Sequence, residues 1–304
     1  MQRLLLPILI YALTSGCTEP KAPLGTPENP LRFYLIPSVE SAMLETSGEA
    51  LRKYLESHTP YKFKLAVPTS YIAVVEAFGS RRADIASLNT YGYVLAHRKY
   101  KTEARLTVIR AGDSTYKGQI IAHRRSHFKS LKDLNGKRFA FVDPTSASGY
   151  ALPFSLLTKN KIKPRETVFA QRHDSVISMI YQGQVDAGAV YYSPPMNGEI
   201  QDARRLVRTQ YPNVENDITV IQFTESIPND CIAFRQDLDE KIKSEVSRAL
   251  IDFVDTADGK KSLEDTFGVT GFKPSSDKDY DIARALFDEF EKLEAAKSEP
   301  KLHE

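Results

Sequence analysis

The sequence has little of what several large classes of protein depend on. Its 304 residues include no tryptophan and only two cysteines, too few for a disulfide framework or a cysteine-based zinc site. The 41 Lys and Arg residues and 39 Asp and Glu residues leave a net charge of +2, without the basic excess that nucleic acids or anionic membranes attract. What is present is an ordinary globular composition, 41% hydrophobic and 26% charged, long enough for about two domains.

The first seventeen residues predict an export signal. Arg3 precedes an apolar stretch from Leu4 to Leu13, and small residues then lead to Cys17. This layout is typical of a secretory signal peptide and is shorter than the ~20 residues of a membrane span. Its end resembles a bacterial lipobox, whose cysteine is acylated, although Thr14 stands where that motif usually has leucine. We expect a lipoprotein signal at 1–16 and lipidation of Cys17; a plainly cleaved signal and an uncleaved anchor are the alternatives.

The proline-rich residues 17–30 predict a flexible tether between the lipid and a folded body, because they contain few apolar side chains. Removal of Arg3 with the signal lowers the net charge to +1. Cys231 is then left without an intramolecular disulfide partner, and we expect a buried, inert thiol there.

From residue 31 onward, short apolar strands alternate with amphipathic helices, a pattern that predicts an α/β fold. Predicted strands include 31–36, 62–67, 83–88, 105–111, 118–124, 167–172, 185–192, 217–226 and 232–238. Predicted helices include 42–57, 71–80, 174–182, 239–255 and 278–296.

The best candidate for a binding site lies at residues 139–157. An apolar strand ends at Asp143, and small hydroxyl residues including Ser146 and Ser148 lead through Gly149 into a helix. Ligands of open α/β sheets bind beyond the carboxyl ends of strands, and a helix N-terminus presents unpaired N–H groups to an anion. Serine hydroxyls add uncharged donors, and glycine permits close approach. The segment predicts an oxyanion site; capping of the helix by either serine is the alternative.

Three further positions are weaker candidates from their local sequence. His173 ends a predicted strand and can donate a hydrogen bond to a phosphoryl-type oxygen, while Tyr71 opens a predicted helix. Asn89 and Thr90 follow another predicted strand. Each also has an ordinary structural interpretation, as a packed or capping residue. The sequence carries no hydrolase elbow, phosphate-binding loop, zinc-protease or dinucleotide motif, so we predict no catalytic residues, no cofactor and no metal.

These segments together resemble the phosphate/phosphite/phosphonate-binding family of ABC-importer solute-binding proteins. The resemblance runs from about residue 31 to about residue 271. Its most specific stretches are SLKDLNGKRFAFVDPTSASGYALP at 130–153 and SIPNDCIAFRQDL at 226–238; SYIAVVEAFGSRRADIASL and HDSVISMIYQGQVDAGAV also match.

The resemblance implies a two-lobed type II periplasmic-binding fold. Each lobe would be a mixed sheet flanked by helices, and two hinge crossings would fall near 110–117 and 218–225. The implied division is lobe one at 30–115 plus 222–297, lobe two at 116–221, and a disordered tail at 298–304.

The resemblance also implies ligand contacts. Tyr71 matches a tyrosine that contacts the phosphonate group, and His173 matches a ligand-contacting histidine. Asp230 matches a pocket carboxylate near the organic tail of the ligand. The turn that holds the oxyanion matches Ser146, Ser148 and Gly149.

Three positions depart from the family pattern. Ala147 stands where a threonine is often found, and Leu88 where an aromatic residue is often found. The acidic residue of aminoalkyl-phosphonate binders falls on about Ser193. This last departure disfavours an amino-bearing ligand and leaves phosphite, phosphate, a methyl-like phosphonate or another oxyanion open.

The function expected is therefore that of a monomeric, lipid-anchored receptor in the periplasm or at the cell surface. It would capture a small oxyanion between its lobes and deliver it to an ABC permease and ATPase, with no catalysis and no nucleic-acid partner. The main alternative is a sensor of the same fold that signals to a membrane histidine kinase. A secreted enzyme and a thiol-dependent oxyanion binder using Cys231 are further alternatives.

Overall fold

The computed structural model describes residues 22–298. Its strands are β1 (Leu31–Tyr34), β2 (Phe63–Ala66), β3 (Ile85–Leu88), β4 (Glu103–Arg110), β5 (Thr115–His123), β6 (Arg138–Phe141), β7 (Glu166–Phe169), β8 (Ala187–Tyr192), β9 (Ile218–Pro228), β10 (Cys231–Phe234) and β11 (Val269–Pro274). Its α-helices are α1 (Ser41–His58), α2 (Tyr71–Gly79), α3 (Thr90–Tyr100), α4 (Leu152–Lys159), α5 (His173–Tyr181), α6 (Val214–Asp217), α7 (Glu240–Val254), α8 (Ala257–Gly259), α9 (Asp265–Phe267) and α10 (Asp281–Ser298).

The strands form two mixed sheets. The first sheet has six strands in the order β11-β4-β10-β3-β1-β2, and the second has five in the order β7-β6-β8-β5-β9. β1 pairs in parallel with β2 and β3, and β6 pairs in parallel with β7 and β8. The remaining pairs are antiparallel: β10 with β3 and β4, β11 with β4, and β5 with β8 and β9. Two mixed sheets flanked by helices confirm the expected α/β class.

The chain passes between the sheets at two places that lie side by side. β4 ends at Arg110 in the first sheet and β5 begins at Thr115 in the second, whereas β9 leaves the second sheet at Pro228. Asn229 links the two passages, since its side-chain amide donates to the Asp113 carbonyl at 2.9 Å. The second passage falls later than the predicted crossing at 218–225, because β9 stays paired with β5 as far as Pro228. The division into lobes at 116 and 221 stays a prediction.

The helix α10 packs against helices of both sheets. Phe287 and Phe290 belong to the same core cluster as Tyr91 of α3 and Phe154 of α4. The Phe290 ring makes edge contacts with Tyr91 and Phe154, with centroids 5.5 and 5.7 Å apart. α10 therefore joins the two halves of the molecule through one aromatic cluster.

The elements missed from the sequence are the short helices α6, α8 and α9, the helix α3 and the strand β11. α3 begins at Thr90, where Asn89 caps it by accepting a hydrogen bond from the Gly92 N–H at 2.9 Å. Its opening Thr-Tyr-Gly-Tyr consists of weak helix formers, so burial of Tyr91 and Tyr93 stabilises it instead of intrinsic propensity. β11 was missed because its Gly271 and Pro274 are poor strand residues, tolerated at the edge of the first sheet.

The predicted signal peptide and Cys17 lie outside the described residues, as does the predicted tail apart from Ser298, which ends α10. Residues 22–30 form a turn in which the Gly25 N–H donates to the Asn29 carbonyl and the Gly25 carbonyl accepts from the Lys62 N–H. Leu24 in this turn packs on the core of the first sheet. Residues 17–21 of the predicted tether lie outside the described part of the chain. Within residues 22–298 no helix combines the length and apolar character needed to cross a membrane.

Candidate ligand-binding site

A cavity of about 520 Å³, counting the part open to solvent, lies between the two sheets. It lies beyond the carboxyl ends of β3 and β6, where open α/β sheets bind ligands. Its lining residues are Ile36, Ser38, Val39, Tyr71, Asn89, Arg110, Tyr116, Ser146, Ser148, His173, Tyr191, Asp230 and Phe267. Six of the residues predicted from sequence are thus brought together: Tyr71, Asn89, Ser146, Ser148, His173 and Asp230. That they contact a ligand stays a prediction.

Two donors in this cavity have no hydrogen-bond partner among the described residues. They are the Tyr71 hydroxyl and the Asn89 side-chain nitrogen, both fully buried. The Asn89 oxygen is committed to capping α3, which leaves its NH₂ group free. Burial raises the pKa of Tyr71 well above its ordinary value of 10, with a further contribution from Asp143, so the hydroxyl stays a neutral donor. A buried donor left unpaired costs about 1–3 kcal/mol, which a ligand acceptor would recover.

The serine turn after β6 supplies two hydroxyl groups. The Asp143 side chain shapes it by accepting from the Thr145 N–H and hydroxyl, at 2.8 and 2.6 Å. The Ser146 oxygen accepts from the Gly149 N–H at 3.1 Å, so the capping alternative holds for this serine. Both serine hydroxyls lie at the cavity wall, where that of Ser148 also forms a hydrogen bond with the Tyr116 side chain.

Gly149 and Thr90 stand behind the cavity wall instead of lining it. A Cβ atom at Gly149 would lie 2.4 Å from a Val142 methyl group, so packing alone requires glycine there. The Thr90 hydroxyl donates to the Pro228 carbonyl at 2.7 Å, beside the second passage between the sheets. Both residues therefore have a structural role whether or not the cavity is filled.

His173 is held as a neutral donor. It begins α5, and its Nδ1 accepts from the Tyr191 backbone N–H at 3.3 Å, so its proton lies on Nε2. Burial lowers the pKa of His173 from its ordinary 6.5 to about 3, and the nearby positive charge of Arg110 adds to the effect. The imidazole thus offers an N–H group without a positive charge near neutral pH.

The charged residues of the site form a pair. Arg110 ends β4, and its Nη2 donates to Asp230 Oδ2 at 2.9 Å. Burial lowers the pKa of Arg110, but the attraction of Asp230 outweighs this and leaves the pKa raised. From its sequence position, Arg110 was expected only at a crossing between the lobes. The signal for a role in the site is that it is a cation at the end of an apolar strand. Tyr116 and Tyr191, also missed, reach the cavity through strand pairing that local sequence does not reveal.

Cys231 lies away from the cavity wall. Its thiol is free and fully buried in the first sheet, and burial raises its pKa well above the ordinary value of 9. Among residues 22–298 there is no group of three or more His, Cys, Asp or Glu side chains arranged to hold a metal ion.

Lowering the pH should expose the effect of His173 on stability. The unfolded histidine takes up a proton near its ordinary pKa of 6.5, whereas the native one does so only near 3. Between these values the unfolded state binds more protons, so the free energy of unfolding falls as the pH falls. Urea unfolding between about pH 7 and about pH 4 measures this fall, and His173→Gln should reduce the slope. His58→Gln, at an exposed position, is the control; equal slopes for wild type and His173→Gln would contradict the assignment.

Two mixed sheets, paired passages between them and a donor-lined cavity where they meet define a two-lobed periplasmic binding protein. A family model described as "ABC transporter, phosphonate, periplasmic substrate-binding protein" matches residues 33–280, and this chain belongs to that family. Membership makes it a periplasmic substrate-binding component of an ABC transporter.

Individual relatives agree with this assignment. The "Phosphate-import protein PhnD" of Mycolicibacterium smegmatis is 29% identical over 202 residues, covering 60% of this chain but only 62% of that protein. The "Phosphonates-binding periplasmic protein" of Escherichia coli is 25% identical over 286 residues, covering 91% and 81% of the two chains. PhnD1 from Prochlorococcus marinus, solved with methylphosphonate, superposes with a TM-score of 0.74 at 19% identity, over 86% and 98% of the chains. This last likeness confirms the expected type II fold.

Proposed function

We propose that this chain captures a phosphonate-type oxyanion in the cavity between its sheets and presents it to an ABC permease and ATPase without changing it chemically. The observation that carries the proposal is the pair of buried, unpartnered donors on Tyr71 and Asn89, which face the same cavity as two serine hydroxyls. Known relatives that import phosphate or bind phosphonates support the same class of ligand.

The charge balance of the site favours hydrogen bonding over bulk attraction. Arg110 is neutralised by Asp230, and His173 is uncharged near neutral pH. An oxyanion in this cavity would therefore be held by oriented neutral donors. Hydrogen bonds to a charged acceptor are about twice as strong as neutral ones, and exclusion of water strengthens them further.

Donors from both sheets line the cavity, so a ligand that contacts all of them favours the closed arrangement of the two halves. Tyr71 and Asn89 come from the side of the first sheet, and Ser146, Ser148 and His173 from the side of the second. Closure is then a population shift driven by contacts made only when both sides reach the ligand. The proposed receptor is lipid-anchored through Cys17, a proposal that rests on the lipobox-like segment at 13–17.

The test is calorimetric titration of the purified chain with phosphite, phosphate and methylphosphonate, repeated with Tyr71→Phe. We expect the unmodified chain to bind at least one of these anions. Tyr71→Phe should weaken that binding about tenfold to a hundredfold, because the variant loses one charge-assisted hydrogen bond. Stability without ligand should be unchanged or higher, because the substitution removes an unsatisfied buried hydroxyl.

Tyr93→Phe is the matched control. The Tyr93 hydroxyl donates to Asp277 at 2.8 Å, away from the cavity, so its loss should lower stability and leave affinity unchanged. Absence of binding to all three anions, or an equal effect of the two substitutions on affinity, would overturn the proposal.

A further inference from the structure

A second, larger cavity adjoins the donor-lined one. It has about 770 Å³ of empty space, counting the part open to solvent, and lies beside the first sheet next to α1 and α7. The two cavities share five lining residues: Ile36, Ser38, Arg110, Asp230 and Phe267. They are therefore neighbouring compartments that meet at the Arg110–Asp230 pair.

Beyond the shared residues, the second cavity is lined almost entirely by apolar side chains. Its walls include Phe33, Leu44, Leu51, Ile232, Leu250 and Phe272. The two polar side chains there are both serines, and that of Ser87 already accepts a hydrogen bond from the Ile36 N–H at 3.3 Å. This compartment thus offers contact area for an apolar group and no free charged partner.

We propose that this apolar compartment receives the organic substituent of the ligand, so that the chain prefers phosphonates with an alkyl or aryl group larger than methyl. The inference rests on the proposed function, because it places the acid group of the same molecule among the donors of the first cavity. The combined shape, a polar donor-lined end and an apolar end, matches a molecule with an oxyanion at one end only.

The pair at the junction favours apolar over amino-bearing substituents. Asp230 lines both compartments, and one of its oxygens is already bonded to Arg110 at 2.9 Å. An ammonium group passing this point would enter a compartment of leucine and phenylalanine side chains, where a charge is strongly destabilised. A propylphosphonate instead binds more tightly than methylphosphonate, because each added methylene group moves from water into the apolar compartment.

The test is a calorimetric series with methyl-, propyl-, phenyl- and 2-aminoethylphosphonate on the full chain. We expect affinity to rise about fourfold for each methylene from methyl to propyl. The phenyl compound should bind more tightly than methyl, and the aminoethyl compound more weakly than propyl. Affinity that is constant or falls from methyl to propyl overturns the inference and leaves the proposed function intact. Absence of binding throughout the series overturns both.

A substitution locates the effect in the compartment. Ser47 of α1 lines it and is buried, so Ser47→Leu fills part of the space while replacing serine by a better helix former. We expect this variant to lose most of the gain from methyl to propyl, measured as the ratio of the two affinities in the same protein. Thr46→Leu adds a similar side chain on the exposed side of the same helix and serves as control. An unchanged gain in a folded Ser47→Leu protein would refute the assignment, and the ligand series decides the matter if that variant does not fold.

Discussion

Replacing both Ser146 and Ser148 by alanine is expected to abolish measurable binding of an oxyanion. Each hydroxyl would give the ligand one charge-assisted hydrogen bond worth about 1.5–3 kcal/mol, so losing both weakens binding by roughly a hundredfold to ten-thousandfold. The single variants should differ, since Ser146 also caps the turn by accepting from Gly149. Ser148→Ala removes the ligand contact and the hydrogen bond with Tyr116, whereas Ser146→Ala also removes the cap of the turn and should cost about 1 kcal/mol of stability.

Calorimetry together with thermal unfolding separates these effects. Ser155→Ala is a matched control, because the Ser155 hydroxyl is also buried but donates to the Ala151 carbonyl within α4 at 2.9 Å. It should change stability without changing affinity. A double variant that binds the ligand as tightly as the wild type would remove the serine turn from the site.

Replacing Asp84 by alanine is expected to lower the free energy of unfolding more than any other substitution named above. Its carboxylate is fully buried and accepts hydrogen bonds from the Arg32 side chain at 2.9 and 3.0 Å and from Arg235 at 3.2 Å. Without Asp84 the partly buried Arg32 guanidinium loses its counter-charge, and Arg235 keeps only its pair with Asp237. Breaking such a pair costs about 3–5 kcal/mol, a large part of the 5–15 kcal/mol that stabilises a typical domain.

Urea denaturation measures this loss as a lower midpoint. Asp84 precedes β3 and Asn89 follows it, so the substitution lies at the end of the strand away from the cavity and should leave the affinity of the folded protein unchanged. The partly exposed pair of Glu49 with Arg52, which is more accessible than the Asp84 carboxylate, provides the control, since Glu49→Gln should alter the midpoint little. A midpoint equal to that of the wild type in Asp84→Ala would show that the buried pair contributes nothing net.

Local sequence located the pieces of the site but not their assembly. The serine turn and the His173 helix start were visible because strand ends followed by capping residues have a recognisable pattern. Their meeting with Tyr71 and Asn89 depends on two sheets that face each other, and the family resemblance supplied that information. Arg110 escaped notice because its role follows from Asp230, which is 120 residues away along the chain.

The fold was predictable where burial follows a simple period. α7 has a clear apolar stripe and was placed within one residue at each end, at Glu240–Val254. α3 was missed because its stability comes from tertiary contacts, including the Tyr93 ring against Tyr280 with centroids 4.6 Å apart. Propensity and periodicity report on neighbours along the chain, and such an element depends on partners far from it in sequence.

The position of α10 has a mechanical consequence for ligand entry. If the cavity opens by movement of the two sheets, that movement involves α10, because Phe287 and Phe290 pack in one cluster with residues of α3 and α4. Pulling either helix away would expose these rings, at a cost of about 1.5–3 kcal/mol for each. Rotation that keeps both helices seated on α10 avoids this cost. The aromatic residues of α10 therefore favour rotation of the two sheets over their separation.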